Sequence, residues 1–200
     1  MSTPLEEAAL TEARVLRAAA KVLAERPNAT VAEIAARSGL GRATVYRHFG
    51  SRRELVGAIH RQAIEEAEHA IEGSIDAGGG PLEVLARVTG ELLAVGDRYR
   101  IVAEQRSLEA PLRRRERRLA APLIPVVEAG QASGEIRADL PAEWLVHALG
   151  GLIVAALRAS REGILSGCDV SEAVTTTLIA GAAARARAAI VVPTPARSTN

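Results

Sequence analysis

The sequence predicts an all-α protein in which a small N-terminal three-helix head is carried on a larger C-terminal helical body. Three observations predict it. Apolar residues recur at helical spacing along most of the chain, and no alternating strand run or internal repeat stands out. Hydrophobic residues make up 48% of the 200 positions but aromatic residues only 2%. Ala, Leu, Val and Ile must therefore fill the core, which suits helix-on-helix packing. Finally, residues 30–55 carry two short helical patterns around a glycine turn, with positive charge gathered on and after the second.

The head can be justified element by element. Residues 1–9 are expected to form a frayed arm, and the first helix to run from Leu10 to about Glu25 with Val15, Ala19, Val22 and Leu23 as its buried stripe. Pro27 stops it, because proline cannot continue a helix and disfavours a helical residue before it. Thr30 and Glu33 have the spacing of a capping box, so a second helix begins at Val31, with Val31, Ile34 and Ala35 on one face. Ser38-Gly39 ends that helix, glycine being suited to the left-handed backbone of a helix stop. Leu40 is then an apolar plug between two helices. Gly41 caps a third helix from Arg42 to Phe49, whose Val45 and Phe49 face the core. Ser51 and Glu54 form a second capping box opening a long fourth helix to about Ile71. Two short helices at this spacing make a helix-turn-helix, over residues 10–55.

Charge gives this unit a direction. From Arg37 to Arg53 there are five arginines, His48 and no acid, in a chain of formal net charge +1. The positive field is local, as a DNA-contacting surface requires. The N-terminal residues of the second helix of such a unit touch base edges in the major groove. Arg42 suits a bidentate contact to guanine, and Ala43 or the Thr44 methyl suits a thymine methyl. Tyr46, His48 and Arg52 lie at the far end, where they can hold phosphates and so fix register. Arg47 fits either task. A solvated helix face carries arginines too, but here the turn, the two caps, the Tyr-x-x-Phe pattern and the missing acids agree.

The body spans residues 72–190, after the fourth helix as connector. Gly78-Gly79-Gly80-Pro81 is the clearest break, and Pro81 suits the first turn of a helix. Helices are expected near 82–96, 99–107 and 109–132, from Pro141 to about Glu162, and from Asp169 to about Ala189. The tail, 191–200, is polar, contains proline and is expected to be disordered. The most apolar stretch, Leu145 to Leu157, is about thirteen residues, short of the roughly 20 needed to span a membrane. Trp144 to Ala159 is apolar on more than one face, and 173–184 is small and apolar. Such helices are buried on both sides, either inside the chain or against a second copy.

Other features carry less. One cysteine, Cys168, excludes an intrachain disulfide and fits a reducing compartment. No charged-then-apolar pattern appears at the start of the sequence, so no signal peptide is expected. His60 and His69 are nine positions apart, on opposite sides of a helix, and cannot share a metal. The arginines of 113–118 spread around a helix axis and suit a solvated face or ion pairs between subunits. No nucleophile–base pair, metal-ligand spacing or phosphate loop is present, so neither an enzyme nor a cofactor is expected.

The run TVAEIAARSGLGRATVYRHFGSRREL resembles the DNA-binding head of the TetR (tetracycline-repressor-like) family of bacterial transcription regulators. Thr30, Ile34 and Ala35 match its Thr-x-x-x-Ile-Ala opening, Gly39 its turn, and Thr44, Val45, Tyr46 and Phe49 its Thr-aliphatic-Tyr-x-x-Phe recognition helix. Ser51, Arg52, Arg53, Glu54 and Leu55 stand where Ser-Lys-Glu-x-Leu is usual, and Gly41 replaces the usual serine cap. The resemblance implies a cytoplasmic homodimer that reads a palindromic operator, with Thr30, Arg42, Ala43, Thr44, Tyr46, Arg47, His48 and Arg52 on DNA. It implies dimerisation through the last two helices, with Leu149, Ile153, Leu178 and Ala182 at the interface. It also implies a repressor whose body encloses an effector pocket, here expected to be aliphatic, with Tyr99, Trp144 and His147 as lining. An effector-independent regulator and, more remotely, a helical enzyme are the alternatives.

Overall fold

The computed structural model describes residues 4–37, 39, 41–99, 110–165 and 170–182. Among them the regular elements are helices: α1 (Pro4–Glu25), α2 (Val31–Arg37), α3 (Arg42–His48), α4 (Arg52–Asp76), α5 (Pro81–Arg98), α6 (Ala110–Arg118), α7 (Ile124–Ala132), α8 (Ala142–Arg161) and α9 (Val170–Ala182), with a short 3-10 turn at Ala121–Leu123. The all-α head-and-body architecture is as the sequence predicts.

Three boundaries differ, each for a local reason. The first helix starts at Pro4, so residues 4–9 are not an arm. Pro4 is preset for a first helical turn. The connector α4 runs to Asp76, because nothing breaks it before Gly78, which takes φ +68°. The single helix expected over 109–132 is divided into α6, the 3-10 turn and α7. Pro122 and Pro125 each remove a backbone donor there. The helix expected near 99–107 falls outside the described residues except for Tyr99, which caps α5. Residues 183–200, including the expected tail, and Cys168 are also outside them.

Two apolar clusters organise the packing. The first joins α1 (Val15, Leu16, Ala19, Val22, Leu23), α2 (Val31, Ile34, Ala35), Val45, Phe49 and the N-terminal half of α4 (Leu55, Val56, Ile59, Ala63, Ala67). The second lies in the body, with Ile71 of α4 meeting Val84, Leu85, Val88, Leu123, Val127, Ile136, Leu145, Leu149, Ile153 and Val174. Backbone contact is close where α5 begins. A Cβ on Gly130 would lie 2.6 Å from Ile136 Cδ1 and 2.9 Å from Pro81 Cβ, so only glycine lets α7 approach there.

α8 has 20 residues and, by length and composition alone, is apolar enough to cross a membrane. Its inward face (Ala142, Leu145, Val146, Leu149, Ile153, Ala156) belongs to the body core and packs among α5, α7 and α9.

Two predictions follow from local chemistry. Ser51→Ala removes the side chain that accepts the Glu54 N–H at 3.2 Å, and unfolding in urea should show a loss of about 1 kcal/mol. His60 is buried, and its Nε2 has no hydrogen-bond partner. Burial pushes its imidazole below the usual histidine range. The unfolded chain then binds the extra proton as pH falls below about 6.5, so the folded state loses stability in that window. His60→Leu should remove this loss, and its stability advantage over wild type should grow as pH drops.

Candidate functional site

The helix-turn-helix is assembled by short-range bonds. Thr30 Oγ1 accepts from Glu33 N–H at 3.2 Å, while Glu33 Oε2 accepts from Thr30 N–H and Oγ1, both at 2.8 Å. These bonds, led by the Thr30 N–H, hold the Glu33 carboxyl below the usual range. At the turn Gly39 takes φ +66°, a conformation that costs glycine little. Gly41 precedes α3 without a side-chain cap. The second box is half formed: Ser51 Oγ accepts from Glu54 N–H, but Glu54 Oε2 reaches back to Gly50 N–H at 3.1 Å and not to that of Ser51.

This scaffold sets which side of α3 is free. Val45 and Phe49 are buried in the head cluster, and Phe49 N–H closes the helix on Val45 O at 2.9 Å. Ala43 and Tyr46 are exposed, Tyr46 by 43%, and His48 is half-buried beside the Phe49 ring. Tyr46 therefore lies on the exposed side of a helix whose other side is buried. Arg42, Thr44 and Arg47 belong to α3, but their side chains lie outside the described residues, as do Ser38 and Leu40. Arg37 pairs with Glu25 at 3.6 Å, which offsets part of the local positive charge.

Arg52 takes a place that the sequence did not reveal. Its Nε donates to Ala29 O at 3.2 Å, and its Nη2 donates to Pro27 O. The guanidinium thus ties the start of α4 to the α1–α2 connection. These partners lie 23 and 25 positions away, beyond the reach of any local spacing rule.

The body corrects the expected pocket. Tyr99 is 2% exposed at the end of α5, and its hydroxyl donates to Glu66 Oε1 at 2.7 Å in the junction with the head. Trp144 and His147 lie on the outer side of α8, Trp144 being 59% exposed, with His147 Nδ1 2.8 Å from Glu143 O. The three do not share a cavity. Among the described residues a charged cleft of about 540 Å³ opens between α4 and α6, lined by Glu68, Glu72, Arg114, Arg115, Arg118, Leu119 and Pro122. Arg115 bridges Glu68 on α4 (Nε–Oε1 2.7 Å) and Glu65 (3.4 Å), so this arginine of the 113–118 run pairs within its own chain. The Arg115 hydrogen bonds hold the Glu68 carboxyl below the usual range.

The expected dimer residues also divide. Leu149 and Ile153 are buried in the body core, because they share the face of Leu145 and Ala142. The outward stripe of α8 is Trp144, His147, Gly151, Val154 and Ala155, with Val154 61% exposed. Leu178 and Ala182 belong to α9, with side chains outside the described residues. Among the described residues no group of three or more His, Cys, Asp or Glu is placed to hold a metal ion.

Comparison with known proteins agrees with this geometry. The sequence pattern of the bacterial regulatory proteins of the tetR family matches residues 15–59, most of the head. The HTH-type transcriptional repressor LfrR of Mycolicibacterium smegmatis is 30% identical over 176 residues, covering 86% of this chain and 89% of LfrR. The crystal structure of LfrR in complex with proflavine superposes with a TM-score of 0.68 at 26% identity, over 86% of this chain and 96% of that one. The regulator FadR of Bacillus subtilis, in complex with stearoyl-CoA, shares the fold (TM-score 0.64, 20% identity, 84% and 97% coverage). With a helix-turn-helix head, an all-helical body and a repressor relative matched over most of both chains, this protein belongs to the tetR family and is a DNA-binding transcriptional regulator.

Proposed function

We propose that the protein is a repressor that binds a palindromic operator as a homodimer and is released from it by a small molecule in the bacterial cytoplasm. The observation that carries this is the head itself, in which α3 buries Val45 and Phe49 and leaves Ala43 and Tyr46 to the outside. Arg42, Ala43 and Thr44 would read bases at the start of α3, with Arg47 beside them. Tyr46, His48 and Thr30 would hold phosphates. Arg52 supports them by fixing the α1–α2 connection, and its guanidinium is engaged by carbonyls before any DNA arrives.

The outward stripe of α8 supports the dimer. A helix that is apolar on a second, exposed face needs a second partner. Trp144, Val154 and Ala155 around Gly151 form such a face, with α9 beside it. Two heads about 34–36 Å apart then meet successive major grooves. Release by a ligand requires that the ligand favour one arrangement of the heads over another. The body relative LfrR in complex with proflavine supports a body that takes small molecules. The charged cleft between α4 and α6 is the candidate entrance here, since it touches the helix that carries the head.

Duplexes selected from a random-sequence library with the wild-type protein provide the test. Arg42→Ala and Tyr46→Ala should abolish binding to the selected duplex while leaving helix content and oligomeric state unchanged. Log K should fall with log[salt] by about 0.9 per phosphate neutralised. If either variant binds with the affinity and salt slope of the wild type, α3 is not the reading element. A panel of compounds including proflavine then separates a ligand-released repressor from an effector-independent one. Arg52→Ala should lower thermal stability as well as affinity, whereas loss of a pure phosphate contact would lower affinity alone. Val154→Asp should shift the sedimentation coefficient from dimer to monomer at micromolar concentration.

A further inference from the structure

Glu66 is the point where side chains from both halves of the molecule meet. Its Oε1 accepts from the Tyr99 hydroxyl at 2.7 Å, from Arg17 Nε and Nη2 at 3.1 Å, and from Gln62 Nε2 at 3.2 Å. Its Oε2 accepts from Arg98 Nη1. Arg17 stands on α1 in the head, Arg98 ends α5, and Tyr99 caps it. The carboxylate is enclosed, 14% exposed, while the two arginines that cover it are about half exposed at 52% and 45%.

The protonation states suit a lasting connection. Burial pushes the Glu66 carboxyl up, but the hydrogen bonds from Tyr99, Gln62 and Arg17 outweigh it and hold the group below its usual range. Burial, then Glu66 itself, pushes the Tyr99 phenol up to about 12. The phenol therefore remains a donor and the carboxylate an acceptor at any pH near neutrality. Apolar contact runs through the same place, since Val95 and Tyr99 are the α5 residues buried in the head's own cluster.

We infer that Glu66 is a positioning residue that clamps α1 to the end of α5 and so sets the angle of the DNA-binding head on the body. The inference rests on the function proposed above and concerns its regulation. Hydrogen bonds to a carboxylate weaken steeply with distance and angle. A displacement of the α5 end by an ångström or so therefore breaks the Tyr99 bond and leaves the carboxylate that Arg17 holds from α1 without its tie to α5. The head then samples a wider range of orientations, and the fraction fit for the operator falls. Apparent affinity falls by that fraction.

Tyr99→Phe, Arg17→Gln and the double variant provide the test, measured for affinity to the duplex selected with wild type and for amide hydrogen exchange. Each single variant should keep its helix content, weaken binding by about fivefold or more, and speed exchange in α1. The double variant should be no weaker than the weaker single, because one joint has been broken twice. Unchanged affinity and unchanged α1 exchange in the single variants would overturn the inference, as would losses that simply multiply. If Tyr99→Phe does not fold, Arg17→Gln carries the test alone, since its side chain is half exposed. If wild type selects no duplex, the proposed function falls, and exchange in α1 alone decides whether Glu66 joins the head to the body.

Discussion

The rest of the structure depends on α4 being one unbroken helix of 25 residues. At 1.5 Å per residue it is about 37 Å long, and it takes part in both apolar clusters. Leu55, Ile59, Ala63 and Ala67 close the head, and Ile71 opens the body. Neither cluster is complete without it. Ser51 and Glu54 fix where it starts, and the glycines after Asp76 fix where it ends. A rod of this kind transmits rotation from one end to the other, which a flexible linker would not.

The two short helices of the head show why this matters. Seven residues do not form a stable helix alone, since nucleation is costly and few bonds follow it. α2 persists because the Thr30–Glu33 box satisfies N–H groups at its start, and both α2 and α3 persist because α1 and α4 cover Val31, Ile34 and Val45. The same burial that makes them stable chooses their outward residues. The face that α3 turns outward is thus a consequence of packing: once Val45 and Phe49 are inside, Ala43 and Tyr46 are outside.

What was legible in the sequence was local. The two capping boxes, the left-handed Gly39 and the inward Val45 and Phe49 depend on partners within four residues, and all were readable. Arg52 was not, because its acceptors sit across the head at Pro27 and Ala29. Arg115 looked like a solvated charge or an intersubunit pair until α6 was laid against Glu65 and Glu68. α8 shows a subtler failure. Two apolar faces were visible in its composition, but which face turns inward depends on the angle at which it docks. Leu149 and Ile153 were therefore placed on the wrong side, and Val154 was passed over. The candidate pocket failed for a related reason. Tyr99, Trp144 and His147 are the kinds of residue that line pockets, yet each is committed elsewhere by the helix that bears it.

The Glu66 cluster also bears on why a polar group occupies that junction at all. Exposed ion pairs contribute between nothing and about 1 kcal/mol. Enclosed ones repay little more than their own desolvation, and well-packed apolar side chains often serve stability as well. Stability is thus a weak reason to place a carboxylate between α1, α4 and α5. Geometry is a stronger one. Leu or Met at position 66 would pack against α1 and α5 over a range of offsets with nearly the same energy. A carboxylate that must meet a phenol and a guanidinium at hydrogen-bonding distance accepts only a narrow set of positions. The ligand-released dimer proposed above needs that kind of joint, since operator spacing would tolerate little error and release would require that a small shift have a large effect. An apolar contact fails gradually as helices slide, whereas this one holds in a single arrangement and is lost within about an ångström.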